Sequence, residues 1–386
     1  GETLVYSSER DGQWGIYKAE RAREEEPFFY AATLVNETPL LTGDHEYSQP
    51  IFSPDGKKLA YVQDRNLVRV LDLGTEESIT LLDTDHVFST RMGGQYFRWS
   101  PDSQWLLFDY SIPGFAPGEV GLVKADGSGE VLNLTKSGFR DYRGQWVMGG
   151  KAMICLTNRE GLKAAAQSGG SQADVYVMFF DQDTWDRFRL DEDAYNLLKE
   201  TEEENKPDSA RANEKEEADS AEAADVEPVE MDLEGAEVRK ARLTIHSSSL
   251  GDALLSKDGD TLYYLARFER GYNLWSTELR TRDTEMVATL NASRANMVWD
   301  KDQESILLLS SGSISKIDPS NGRRETISFE AEMVMDRQAR LDWMFEHVWN
   351  QTEETFYTAG FHGVDWEGLK PVYAKYLPHL SNGYEL

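Results

Sequence analysis

An apolar run that ends in a polar turn and restarts at once recurs along this chain. Phe52 leads into Ser53-Pro54-Asp55-Gly56, and Leu59-Ala60-Tyr61-Val62 follows. The pattern returns as Trp99-Ser100-Pro101-Asp102 before Trp105–Phe108, and as Leu255-Ser256-Lys257-Asp258-Gly259 before Leu262–Leu265. Weaker copies begin at Trp146 and Trp299. Outside one insertion the period is about 45 residues, the span of one four-stranded propeller blade. Proline presets φ and glycine accepts a positive one, so the motif predicts a tight hairpin turn. The strand after it is apolar throughout, as expected between neighbouring blades. A third strand (Leu67–Leu71, Tyr272–Ser276) and a fourth (Ile79–Leu82, Val131–Thr135) complete each period. Four strands per repeat without helical spacing predict an all-β fold, a β-propeller of four-stranded blades.

The same register reaches the N-terminus. Gly1-Glu2-Thr3-Leu4-Val5-Tyr6 matches Gly259–Tyr264 from its glycine onward, so the first blade is expected to lack its first strand. The expectation is about six visible blades, five of them complete, and seven in a closed ring. Both ends therefore read as cut, and the chain as a piece of a longer protein. The predicted propeller occupies 1–335 and a helical segment 336–386.

Two departures interrupt the repeat. After Trp185-Asp186-Arg187-Phe188, a helical-looking piece spans Glu192–Lys199, and an acidic tract extends to about residue 237. Residues 191–240 hold 19 acidic and 6 basic side chains, a composition too poor in apolar surface to order itself. The expectation over about 191–237 is a solvated, disordered excursion on one rim. From Arg337 the period becomes helical: Leu341, Met344, Phe345, Val348, Trp349, Thr352 and Phe356 fall on one stripe. Asp365 is a good N-cap for a second helix. Pro371 predicts that this helix is kinked or starts later than Asp365. Asn382 and Glu385 read as a capping box.

Charge narrows the function classes. A net charge of -29 argues against nucleic acid and against an anionic membrane surface. No stretch approaches the ~20 apolar residues of a membrane span. The single cysteine, Cys155, lies in an apolar run and reads as a small buried hydrophobe. Candidate chemistry is thin. Gly169-Gly170-Ser171-Gln172-Ala173 lacks the last glycine of a nucleophile elbow. The histidines (His45, His86, His246, His347, His362, His379) have no zinc spacing. Asp55, Asp102 and Asp258 recur at one place in each blade and read as turn residues. Gly127-Ser128-Gly129 is a hairpin turn, and Arg267 and Arg270 read as solvated rim residues able to meet peptide carboxylates. No catalytic, cofactor-binding or metal-binding residue is assigned.

Three narrower stretches carry a resemblance. They are Asp174–Asp181 running on to Trp185–Phe188, Arg242-Leu243-Thr244 followed by Ser248–Asp252, and Phe361-His362-Gly363-Val364-Asp365-Trp366 after the amphipathic helix. Together with the WD40-like, TolB-like blades, they resemble the tricorn protease family in its bacterial form, a branch of the S41 serine peptidases. The resemblance implies a propeller beside a catalytic core, with this chain as the seven-bladed one of the family's two. It implies peptide substrates filtered towards an active site downstream of Leu386, self-association of the full-length protein, and a cytoplasmic location. One cysteine is equally compatible with the periplasm. The alternative is a TolB-like propeller acting purely as a protein- or peptide-binding module.

Overall fold

The computed structural model describes residues 2–26, 28–89, 93–111, 118–163, 171–205, 227–330, 332 and 334–386. It is a β-propeller fold with six antiparallel sheets, five four-stranded and one three-stranded. The chain divides into two units: residues 1–49, 90–92 and 329–386, and residues 50–89 and 93–328.

Apart from residues 47–49 of the first, the larger unit holds the four-stranded sheets, each built in chain order. The first is β4 (Tyr47–Phe52), β5 (Lys58–Gln63), β6 (Leu67–Asp72) and β7 (Ser78–Leu82). The second is β8 (Phe97–Trp99), β9 (Trp105–Tyr110), β10 (Glu119–Lys124) and β11 (Leu132–Asn133). The third is β12 (Asp141–Val147), β13 (Ala152–Thr157), β14 (Asp174–Phe179) and β15 (Lys240–Arg242). The fourth is β16 (Ser249–Leu255), β17 (Thr261–Arg267), β18 (Tyr272–Glu278) and β19 (Thr284–Ala292). The fifth is β20 (Ala295–Trp299), β21 (Ile306–Ser310), β22 (Ser313–Ile317) and β23 (Arg324–Ile327).

β5, β9 and β13, each the second strand of its sheet, are apolar at successive positions because both their faces are covered. In β9, Leu106 and Phe108 pack with Val62, Val70 and Leu82 of the preceding sheet. Leu107, pointing the opposite way, packs with Met153 and Met178 of the following one. In β13 the alternation repeats: Met153 and Cys155 face back, while Ile154 and Leu156 face Ala253 and Leu262. A side-chain period of two, buried on both sides, produces an unbroken apolar run. Cys155 is buried, as its surroundings in the sequence predict.

The repeated tryptophans tie sheets together. The indole of Trp99 donates to the Ile51 carbonyl at 3.1 Å, Trp146 to Arg98 at 3.3 Å and Trp299 to Leu255 at 2.9 Å. Each closes a bond from the end of one first strand to the first strand before it. The Ser-x-Asp turns close through their own side chains. Ser53 donates to Asp55 at 2.6 Å and Ser256 to Asp258 at 2.6 Å, and Ser100 donates to Asp102. Gly56 and Gly259 hold the left-handed position, at φ 69° and 79°. At Asp300 the degenerate copy still closes, its carboxylate accepting the N–H groups of Glu304 and Ser305.

The expected excursion over 191–237 is corrected at both flanks. Helix α1 (Gln182–Phe188) is capped by Asp181, which accepts the Thr184 N–H at 2.7 Å. Helix α2 (Glu192–Asn205) extends the anticipated helical piece. Its Tyr195 is buried, donates to Asp260 at 3.0 Å and lies under the Arg280 guanidinium. On the other side, Met231, Leu233 and Ala236 join the apolar cluster around Phe180. Arg239 is buried, bonding the carbonyls of Phe179 and Glu234. A few apolar residues and one arginine suffice to pin segments whose average composition is polar. The remainder of the acidic tract, 206–226, lies outside the described residues.

The smaller unit holds β1 (Thr3–Ser8), β2 (Gly15–Arg21) and β3 (Val35–Leu41), one strand fewer than the other sheets, as the N-terminal register predicts. It also holds helix α3 (Arg337–Thr355), capped by Asp336. His347 of α3 pairs with the buried Glu9 at 2.7 Å. Of the expected stripe, Leu341 and Trp349 are buried, whereas Val348 is exposed and Phe356 lies beyond the helix end. Helix α4 (Trp366–Ala374) starts directly after Asp365, whose side chain accepts the Gly368 N–H, and Pro371 sits inside it. Of the two outcomes expected from Pro371, a later start does not occur: the cap fixes the first turn regardless of the proline. In the final turn Glu385 accepts from the N–H and hydroxyl of Ser381, with a smaller contribution from Asn382. Asn382 itself accepts the Tyr384 N–H at 2.9 Å.

Candidate functional site

The stretches that carry the resemblance are structural. Asp174 is fully buried at the start of β14, and one of its oxygens accepts from Arg242 at 2.7 Å and Thr244 at 2.8 Å. The other accepts from Ser247 at 2.8 Å. Phe179 packs on Trp185 and Phe188. In the C-terminal segment Phe356, Phe361, Trp366 and Trp349 form one pile of rings, with centroids 4.7, 4.7 and 4.0 Å apart. His362 pairs with Tyr357 beside that pile and adopts a left-handed backbone, so the motif builds a helix–turn–helix corner.

The other residues singled out in the sequence disperse. Asp55, Asp102 and Asp258 stay in their turns; Asp102 also accepts the Val229 N–H at 2.7 Å, anchoring the returning insertion. His86 pairs with Asp83 at 2.8 Å. His246 lines a small apolar recess with Tyr264, Phe268 and Trp275. Asp126 closes the Gly127–Gly129 turn by accepting the Ser128 N–H. Gly169 and Gly170 lie outside the described residues. Arg270 is exposed.

The larger unit does contain one site where several blades converge. A pocket of about 580 Å³ opens where β8, β12, β16 and β20 begin. Its wall includes Tyr96, Asp109, Arg140, Tyr142, Arg143, Gly251, Tyr272 and Arg294. Most of the lining comes from the first strands of four consecutive sheets and the segments leading into them, so these strands are the inner ones of the unit.

Two β-bulges shape this wall. In β12 the register slips between Tyr142 and Gln145, and Arg143 adopts φ 56°. A non-glycine residue there is uncommon and costs on the order of 1 kcal/mol or more. Two bonds offset the strain. The Arg143 N–H donates to Asp109 at 2.6 Å, and its guanidinium donates to the Gly251 carbonyl at 2.7 Å. Gly144 is required beside it, because a Cβ would lie 2.6 Å from Val120. In β16 the slip falls between Leu250 and Asp252, turning Asp252 to accept the N–H groups of Ala253 and Met297. Bulges re-aim side chains and are common beside functional sites.

Each tyrosine of the pocket carries an arginine. Arg98 lies 4.5 Å from the Tyr96 ring centre, Arg140 lies 4.8 Å from Tyr142, and Arg267 lies 5.5 Å from Tyr272. Arg267, a rim residue in the sequence reading, thus joins the site through Tyr272, and Arg270 does not. The rings hold the guanidinium planes, which reduces the ordering cost of using them. Burial pushes the Asp109 carboxyl up to about 7, against the pull of the Arg143 N–H and of Arg143, Arg140 and Arg98. Burial raises Asp252 as well.

Among the described lining residues no histidine, lysine or cysteine stands beside Ser293. What the arrangement offers a ligand is cationic donors and aromatic faces, the chemistry of recognition. Sequence reasoning missed Tyr96, Asp109, Arg140, Arg143 and Arg294, because they match no site motif; the blades bring them together across about 200 residues.

Residues 340–386 match the family model of the tricorn protease C1 domain. In fold, the chain is similar to the crystal structure of the tricorn protease, with a TM-score of 0.67 at 11% identity. That likeness covers 99% of this chain and 35% of the other, so the chain spans about a third of that protein's length. TolB from Acinetobacter baumannii is similar at a TM-score of 0.47 and 15% identity, over 86% of this chain and 66% of that one. No curated protein matches the sequence.

Proposed function

We propose that this tricorn-like propeller region, with its C1-domain segment, is a non-catalytic part of a serine peptidase of the S41 type that guides peptides to an active site carried elsewhere. The match of 340–386 to the tricorn protease C1 domain, placed directly after the blades, is the observation that carries the reading. The pocket supports it. A 580 Å³ recess lined by tyrosines and arginines suits an extended polar chain better than a compact apolar ligand. No nucleophile and base are paired in that recess among its described residues, which suits binding without bond cleavage. The peptidase itself, its self-association and its location belong to the same proposal.

The test uses the purified chain and a mixture of unmodified eight- to twelve-residue peptides. Mass spectrometry after prolonged incubation is expected to recover every peptide intact, and ultrafiltration is expected to retain a saturable fraction with the protein. Cleavage that co-purifies with the chain through successive columns overturns the non-catalytic assignment. Absence of any retained peptide overturns the guiding role.

A further inference from the structure

We propose that the pocket at the start of β8, β12, β16 and β20 is a carboxylate-binding site, in which Arg140, Arg143 and Arg294 hold an anionic group of a bound peptide. The inference rests on the peptide-handling role above and specifies what part of the peptide the site reads.

The charge distribution is the first argument. The chain carries 69 acidic against 40 basic residues, so a basic recess runs against its overall composition. This one has three arginines in its wall and a single carboxylate, Asp109. Arg98 and Arg267 add two further guanidinium groups, each stacked on a wall tyrosine. The arginines are also positioned rather than loose. Arg143 is pinned by the bulge and by its bond to Gly251, and Arg140 rests on Tyr142. Planar guanidinium groups held in place match the geometry of a carboxylate through paired N–H donors. Arg140 and Arg294 are exposed, so their remaining donors face solvent or ligand.

The single carboxylate gives the site a pH dependence of known sign. Asp109 faces Arg143, Arg140 and Tyr142 from β12 and its approach and Arg98 and Tyr96 from β8 and its approach, and Tyr96 in turn faces Asp252 from β16. As pH falls through about 7, Asp109 takes up a proton and its competing charge disappears. A peptide carboxylate, with a pKa of about 4, stays ionised over the same range. Affinity for it therefore rises between pH 8 and pH 6.

Isothermal titration calorimetry of the whole chain with three unlabelled peptides of one neutral sequence tests the inference. The first has a free C-terminus, the second a C-terminal amide, and the third the amide together with one internal glutamate. Tight binding of the first alone identifies the C-terminal carboxylate as the source, and binding of the third identifies the acidic side chain. The double variant Arg140→Gln/Arg294→Gln is expected to bind about tenfold more weakly or worse, from the loss of charge-assisted bonds. Both positions are exposed, so its thermal melt should match that of the parent. Affinity is expected to rise severalfold from pH 8 to pH 6, and this rise should vanish in Asp109→Asn. Equal binding of the neutral amide, or unchanged binding by the double variant, overturns the carboxylate site while leaving the guiding role standing. Failure of all three peptides overturns both.

Discussion

Replacing Asp109 by asparagine isolates the electrostatic cost built into the pocket wall. Asparagine keeps an oxygen to accept the Arg143 N–H, which Asp109 receives at 2.6 Å, and removes only the charge. Burial moves the Asp109 carboxyl from its ordinary 3.8 up to about 7. At about 1.4 kcal/mol per tenfold change, that gap corresponds to at most about 4 kcal/mol. Residual solvent access reduces the figure, and about 2 kcal/mol is the working expectation. The sign follows from proton binding. At pH 3 the carboxyl is protonated in the folded and unfolded chain alike. Between about 4 and 7 the folded chain keeps a proton that the unfolded chain has released, so the parent loses stability as pH rises through this window and stays at the lower level above it. Asp109→Asn does not titrate. Thermal melts should therefore show the variant above its parent by a few degrees at pH 8, with the difference shrinking towards pH 4.5. A variant that melts at or below its parent at pH 8, or a difference independent of pH, refutes the reasoning.

Three further substitutions probe the packing of the fold. Trp146→Phe removes the indole bond to Arg98 and should cost about 1 kcal/mol in chemical unfolding without changing the far-UV circular dichroism. Asp174→Ala strips the buried acceptor from Arg242, Thr244 and Ser247 and should cost about 3 kcal/mol, measured by the same unfolding curve. Phe361→Ala opens the ring pile between Phe356 and Trp366 and should cost about 2 kcal/mol. Its signature is faster hydrogen exchange confined to 356–374.

The blades were legible because their signal is local. Proline, aspartate and glycine set a turn within four residues, and a two-sided buried strand leaves an apolar run that needs no partner to be recognised. The N-terminal strand shortage was readable for the same reason, since Gly1–Tyr6 could be laid on Gly259–Tyr264. The insertion was misjudged at its flanks because an average over 50 residues hides single anchors. Tyr195 against Asp260 and Arg280, and Arg239 against the Phe179 carbonyl, are contacts made across 60 to 85 positions. For α4 the proline left a later start open, although Asp365, legible as an N-cap, decides where the first turn begins. The pocket was invisible for a topological reason. Arg143 matters through a bulge whose partners, Asp109 and Gly251, come from two other sheets. The one available hint, a glycine inside an otherwise regular strand at Gly144, marks the bulge without revealing what it aims at.

The central claim is that peptides enter the recess at the start of the inner strands and leave it uncut. A peptide carrying a photoreactive benzophenone at its midpoint, irradiated with the chain and mapped by mass spectrometry, tests this most directly. The account predicts intact peptide joined to the lining residues, with Tyr96, Tyr142 and Tyr272 or their immediate neighbours dominating, and competition by unlabelled peptide. Crosslinks concentrated on the outer strands or on α3 and α4, or attached fragments in place of whole peptide, would contradict it.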